Sequence, residues 1–259
     1  MKLTHTKLRR LIKEELESVL TGLDEQLPHQ QMMINIITRF SILPNCMQNE
    51  SPFQKENVLD PDRLDFKFYV FENVTLPSIV NQSYKNFNWY IVTAKKLPDS
   101  YKQKLQAMTD PYPFIHVEEV SGMSEFFKIC KEKNSKFKKP YSTVRIDDDD
   151  SLHPEFLMSL SQYSDSPDNT VISHPLGTHY WLDEDKSIVD GPEYERPLIA
   201  LGLAAINNNI YGCGNHTKVH EKYPVIYNRE LKNAWKVCNS EHTDSNRTYA
   251  KLQWEKDRV

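Results

Sequence analysis

Glycine is scarce in this sequence, with 7 residues in a chain of 259. Phosphate-cradling loops of the P-loop and dinucleotide-binding kinds need clustered glycines, because only a residue without a side chain lets the backbone close on a phosphate. The scarcity excludes both. Cysteine is scarcer still. Cys46, Cys130, Cys213 and Cys238 are widely spaced and form no CxxC pair, so neither a zinc knuckle nor a disulfide framework is indicated. Reduced thiols are the expected state, and with them a cytoplasmic location. No apolar run approaches the roughly 20 residues of a membrane-crossing helix, and no signal-peptide core is visible. An excess of positive charge is missing too. The 32 Lys and Arg against 36 Asp and Glu leave a net charge of -4, which argues against nucleic acid as a partner.

What is present is an ordinary globular mixture, 39% apolar and 26% charged. Two regions separate. In residues 1–26, Leu8, Leu11, Ile12, Leu16, Val19 and Leu20 recur at helical spacing, with Gly22 as a stop. The polar "LDEQLPHQQ" follows as a linker. This amphipathic helix reads as an appendage able to dock on the main domain or on a protein partner. From residue 32 to 259 strands and helices alternate. "MMINIITRF", "NWYIVTA", "YPFIHVEEV" and "YSTVRI" read as strands. "ENVTLPSIVNQSY", "DSYKQKLQAM", "MSEFFKICKEKN" and "HPEFLMSLSQY" read as helices, the last with Pro154 in its first turn. The alternation predicts an α/β domain with a mostly parallel sheet flanked by helices. Further on, "NTVISHPLGTHYWL" and "KSIVD" read as strands, "ERPLIALGLAAINN" as a helix, and "YPVIYNRELKNAWKV" as a mixture of strand and helix.

The run "RIDDDD" at 145–150 sets four carboxylates side by side. A solvated acidic loop is one explanation, but the flanks "STVRI" and "SLHPEFLMSL" are those of a buried strand and a helix. In open parallel sheets that junction is where ligands bind. An EF-hand loop fails: with Asp147 at its first position, Leu152 falls where glycine is needed and Met158 where glutamate is needed. A paired-carboxylate site for a divalent ion remains, with Asp147 and Asp149 two apart and Asp150 in support. Hard oxygen ligands select Mg²⁺ or Mn²⁺, which commonly share their shell with substrate phosphates.

At these residues the sequence resembles the putative rhamnosyltransferase family, relatives of glycosyltransferases with the GT-A fold and its DxD motif. "RIDDDDSLHPEFL" is similar to the family's Arg-hydrophobic-Asp-x-Asp-Asp stretch. "IITRFSI" resembles its first strand, and "RLDFKFYVFENVTLPSIVNQSYKNFNWYIVTA" the next block, with its "PS" and "Q" before "F-W". "GNHTKV" and "AWKVCNSEHTDSN" resemble two later histidine-containing blocks. The family commonly has a glycine after the second histidine, where this chain has Thr243. The resemblance implies a GT-A-like domain that moves a sugar, rhamnose by the family's label, from a nucleotide diphosphate donor to a glycan or other hydroxyl acceptor. It also implies roles. Asp147 and Asp148 face the donor, and Asp149 and His242 hold Mn²⁺ or Mg²⁺. Read from their own chemistry, Arg39 and Arg145 either reach donor phosphates or pair with the aspartates, Trp181 offers a stacking face to an acceptor sugar, and His216 offers an acceptor contact or a structural hydrogen bond.

The chemistry asks for such parts in its own right. Departure of a diphosphate develops negative charge, which a divalent cation and basic side chains stabilise. A carboxylate base must take the acceptor proton if the enzyme inverts. "WLDEDKSIVDGPEYE" supplies Asp183, Asp185 and Glu193 as candidates. Two other readings use the same features. A metal-dependent phosphoryl-transfer enzyme or phosphate-ester hydrolase also clusters aspartates. A non-catalytic carbohydrate-binding or virion-associated protein could keep the fold, and the N-terminal helix is its support. The helix yields a direct test. Removal of residues 1–26 is expected to leave a folded, donor-binding domain, checked by thermal unfolding and nucleotide titration. A large drop in melting temperature would place the helix in the core instead.

Overall fold

The computed structural model describes residues 31–42, 58–182, 188–230 and 234–237, with the backbone alone at 180–182, 188–191 and 234–237. The elements belong to the unit Met32–Val259. The expected helix over 1–26 lies outside the described residues.

Four parallel strands form the centre: β1 (Met33–Phe40), β2 (Phe87–Ala94), β3 (Ile115–Val120) and β4 (Tyr141–Asp147). They lie in the order β3-β2-β1-β4. Strand β1 is rich in isoleucine because it is covered on both faces, and such strands read as near-continuous apolar runs. Its side chains alternate. Ile34, Ile36 and Phe40 join Trp89 and Ile91 of β2 on one face, while Ile37 joins Val92 and Val120 on the other. The first face packs on α1 (Pro61–Val70), α2 (Leu76–Val80), α3 (Asp99–Thr109) and α5 (Phe156–Ser161), through Phe68, Ile79, Leu105 and Phe156. The second packs on α4 (Met123–Asn134) through Phe126 and Cys130. The one polar group Trp89 brings inside is matched, since its indole N–H donates to Thr38 Oγ1 at 2.9 Å.

Beyond β4 the chain makes β5 (Asp150–Leu152), α5, β6 (Val171–Ser173), β7 (Leu176–Leu182), β8 (Ile188–Glu195), β9 (Ala204–Ile206), β10 (Val225–Tyr227) and β11 (Ala234–Val237). Among the described residues the main sheet has seven strands, β10-β6-β9-β4-β1-β2-β3, with β9 antiparallel to both of its neighbours. A second sheet has four, β5-β11-β7-β8. The mostly parallel sheet with helices on both faces is the GT-A-like arrangement expected.

Four local expectations need correction. The "ERPLIALGLAAINN" segment is not a helix: it makes turns and then β9, which slots between β4 and β6. Leu198 and Gly202 both take positive φ, 58° and 67°, which no helix tolerates. A short apolar run such as "LAAI" looks the same in a buried strand as in a buried helix. The "NRELKNAWKV" stretch ends in strand β11, with no helix among its described residues. Pro154 lies outside its helix, which begins at Phe156. The helix after β1 also starts earlier than Glu72. Asp60 caps it at Pro61, its carboxylate accepting from the backbone of Asp62 and Arg63.

His174, just past β6, is fully buried with its ring 4.5 Å from that of Phe156. Neither ring nitrogen has a hydrogen-bond partner among the described residues. Burial pushes the imidazole pKa down to about 4. Because the folded value lies below the unfolded one, this contribution to stability is complete above pH ~6.5 and is lost as the pH falls toward 4. Urea unfolding at pH 7.5 and pH 5 is expected to show the wild type losing about 2 kcal/mol more than His174→Leu across that interval. Equal losses would mean that the ring is already protonated, or solvated, in the native state.

Candidate functional site

From β1 the chain moves outward through β2 and β3, then returns to lay β4 on the other side of β1. A crevice opens at such a reversal, outside the carboxyl ends of the strands. There the strand register sets Arg39 opposite Asp147 and Ile37 opposite Arg145. Asp147 receives both guanidinium groups, Oδ1 from Arg39 Nη2 at 3.2 Å and Oδ2 from Arg145 Nη2 at 3.4 Å. The two guanidiniums lie over the ring of Tyr211, at 5.8 and 5.4 Å from its centroid. Tyr211 donates to the Ile37 carbonyl at 3.3 Å, and burial raises its pKa so that the phenol stays neutral. Burial works against the charge on Arg39, but Asp147, by its charge and its hydrogen bond, together with Asp148 outweighs it and leaves its pKa raised.

The next two aspartates are held from the other face. Asp148 and Asp149 are each 5% exposed, in the turn between β4 and β5. Lys67 of α1 is 3% exposed, and its Nζ donates to Asp148 Oδ1 at 2.8 Å and to Asp149 Oδ2 at 2.7 Å. One ammonium thus serves two buried carboxylates. Removing Lys67 from such a buried set costs about 3–5 kcal/mol, because both carboxylates stay behind without its ammonium. Asp150 is 3% exposed, so the run is not a solvated acidic loop.

The "TLPSIVNQ" block explains how the turn keeps its shape. After α1 the helix widens into one π turn, Phe71–Thr75, before α2. Thr75 Oγ1 donates to the Asp148 carbonyl at 3.2 Å. Ser78 Oγ accepts from the Leu152 backbone N–H at 3.2 Å. Gln82 donates to the His153 carbonyl at 2.7 Å and accepts from the Leu157 N–H at 3.0 Å. These three side chains tie the acidic run and the stretch after it to one helical block. A cleft of about 170 Å³ opens beside the run, lined by Arg39, Ser41, Arg63, Lys67, Asp147 and Asp148 among others. Arg63 is fixed there by donating to the Val58 carbonyl at 2.8 Å and to Ser41 Oγ at 3.2 Å.

Of the residues singled out in the sequence, the structure brings Arg39, Arg145, Asp147, Asp148 and Asp149 together. His216 opens a 3-10 turn, and its Nδ1 lies 2.7 Å from the Leu198 carbonyl, a bond that positions the loop. Trp181 is on β7, described in its backbone alone. Glu193 is exposed on β8. Asp183, Asp185 and His242 lie outside the described residues. Sequence reasoning missed Lys67, Arg63 and Tyr211. Lys67 left a trace. Leu64, Phe68 and Phe71 mark an apolar stripe on α1, and a lysine three residues after the first and four before the last lies within it. Tyr211 left none, because a single aromatic in a loop reads as packing.

The arrangement can bind a diphosphate beside fixed cations while holding carboxylates for an ion or a sugar. The sequence matches the putative rhamnosyl transferase family over residues 33–252. No curated protein matches it. Among solved structures the fold is similar to that of S. aureus TarS 1-349 in complex with UDP-GlcNAc, at 8% identity and a TM-score of 0.50, covering 84% of this chain and 60% of that one. It is also similar to S. aureus TarS 1-349 in complex with UDP, again at 8% identity and a TM-score of 0.50, covering 86% and 71%. At that identity the likeness speaks for the fold. The family match spans most of the chain, and on that ground the protein belongs to the putative rhamnosyl transferase family and is a glycosyltransferase.

Proposed function

We propose that the protein transfers a sugar from a nucleotide diphosphate donor to a hydroxyl acceptor, with the donor diphosphate in the cleft at the carboxyl ends of β1 and β4. One observation carries this reading: Arg39 and Arg145 on Asp147, and Lys67 on Asp148 and Asp149, gather matched charges at the crevice of a GT-A-like sheet. The TarS complexes with UDP and UDP-GlcNAc support a uridine-type donor as the first to test. Arg39 and Arg63 line the cleft and would hold phosphate oxygens, giving charge stabilisation that is in place before the leaving group departs. Asp147, fixed between two arginines at the cleft, would orient ribose or sugar hydroxyls.

Carboxylate oxygens at Asp147 and Asp149 are hard donors, and they fit Mg²⁺ or Mn²⁺. Among the described residues no three His, Cys, Asp or Glu side chains converge as a complete ligand set. The remaining ligands in this reading are the diphosphate and His242. When bound, the ion would neutralise charge on the departing diphosphate. The acceptor proton would pass to a carboxylate in the 183–193 segment, with Asp183, Asp185 and Glu193 the candidates. The acceptor would be a glycan or other hydroxyl compound, with Trp181 and His216 on its side of the site. Rhamnose is the sugar the family label suggests.

Two substitutions test the site. Asp149→Asn is expected to weaken divalent-dependent nucleotide binding at least tenfold by calorimetry. It should lower stability by about 1–3 kcal/mol, since a hydrogen bond between charged groups is lost while Lys67 keeps Asp148. Unchanged Mn²⁺-dependent binding would sink the metal reading. His242→Ala is expected to raise the Mn²⁺ concentration needed for half-maximal turnover severalfold without changing the melting temperature of the ligand-free protein. An unaltered Mn²⁺ requirement removes His242 from the ligand set.

A further inference from the structure

We propose that Lys67 is a positioning residue that acts as a resident cation between Asp148 and Asp149, so that a divalent ion enters this site only together with a diphosphate. The inference rests on the donor and cation reading above. Its first support is geometry. Nζ lies 2.8 and 2.7 Å from the two carboxylates, and the three side chains are 4%, 7% and 7% exposed. Water does little to screen charges so placed. A second cation on the same carboxylates therefore meets the ammonium as a close like charge.

The second support is charge parity. Arg39, Arg145 and Lys67 pair with Asp147, Asp148 and Asp149, positive for negative. Among the described residues these pairs leave no deficit for a dication to fill. A diphosphate in the cleft creates that deficit, and a dication restores neutrality. Lys67 is suited to both states. An ammonium has three N–H donors, of which two go to the aspartates. The third has no partner among the described residues, and Lys67 lines the cleft.

The third support is placement. The site occurs where β4 leaves the main sheet and β5 starts the second, and Thr75 grips the Asp148 carbonyl there. Lys67 keeps the carboxylates assembled before any ligand arrives. It acts through them, not on the reacting atoms.

Calorimetry on the full chain tests this with Mn²⁺ alone, then with UDP, dTDP, GDP or ADP, each with and without Mn²⁺. The wild type is expected to bind Mn²⁺ at least tenfold more weakly alone than with the nucleotide it accepts. Lys67→Met is expected to bind Mn²⁺ alone at least tenfold more tightly than the wild type. Its KM for the donor should rise more than its kcat falls, and Lys67→Arg should restore the wild-type pattern. Mn²⁺ binding to the wild type that is as tight without nucleotide as with it overturns the proposal and leaves the donor reading standing. So does equal Mn²⁺ affinity in Lys67→Met and wild type. Nucleotide binding that ignores Mn²⁺ in both removes the ion and the proposal with it. Absence of any nucleotide binding removes the donor reading itself. The wild-type comparison decides the matter even if Lys67→Met does not fold.

Discussion

A single ammonium group, that of Lys67, sets the terms for the site. Three consecutive aspartates, Asp148 to Asp150, are almost without solvent contact. Carboxylates at that depth are tolerated only with paired charge and full hydrogen bonding. Lys67 provides the paired charge, and one hydrogen bond each, for two of them at once. The turn it clamps is the point at which the chain passes from the main sheet into the second one, from β4 to β5. The position of β5, and through it the pairing with β11 and β7, starts from that clamp.

The crowding of like charge in "RIDDDD" is resolved by direction. Successive residues of an extended chain face opposite sides. Asp147, still in β4, meets Arg39, Arg145 and the underlying Tyr211 on the α4 face. Asp148 and Asp149, in the turn, meet Lys67 from the α1 face. Cations thus reach one short run from both faces of the sheet, two from strands β1 and β4 and one from α1.

The central fold was legible because its signals were strong. The β1 to β4 alternation, the full extent of α4 and the strand leading into the aspartates follow from apolar runs separated by amphipathic helices. The acidic run was legible as a site because its flanks were those of buried elements. Arg39 was legible because a charged residue ends an apolar strand. What failed shares one physical cause, which is that tertiary contacts decided it. The segment around Ala204 became a strand because a gap between β4 and β6 accepts one, and nothing local distinguishes "LAAI" from helix. Lys67 was invisible as a partner of Asp148 and Asp149 because the pairing spans the whole first half of the domain. Ser78 and Gln82 were noticed as a pattern, but their work on the Leu152, His153 and Leu157 backbone needed coordinates to see.

Strand β9 carries a consequence for how the molecule comes into being. Its three residues cover the side of β4 that faces away from β1, with Ser142 opposite Ile206. Yet they leave the ribosome only after both long strands of the second sheet, β7 and β8. Until then the strand that ends in Asp147 has an open row of backbone donors and acceptors along one side, the kind of edge that recruits other chains. Pairing across so long a stretch is also slow to form, because closure entropy must be met before the contact rewards it. The crevice at the carboxyl ends of β1 and β4 is thus among the last parts of the domain to be sealed, and a nascent chain halted before Ala204 has its acidic strand exposed at a sheet border.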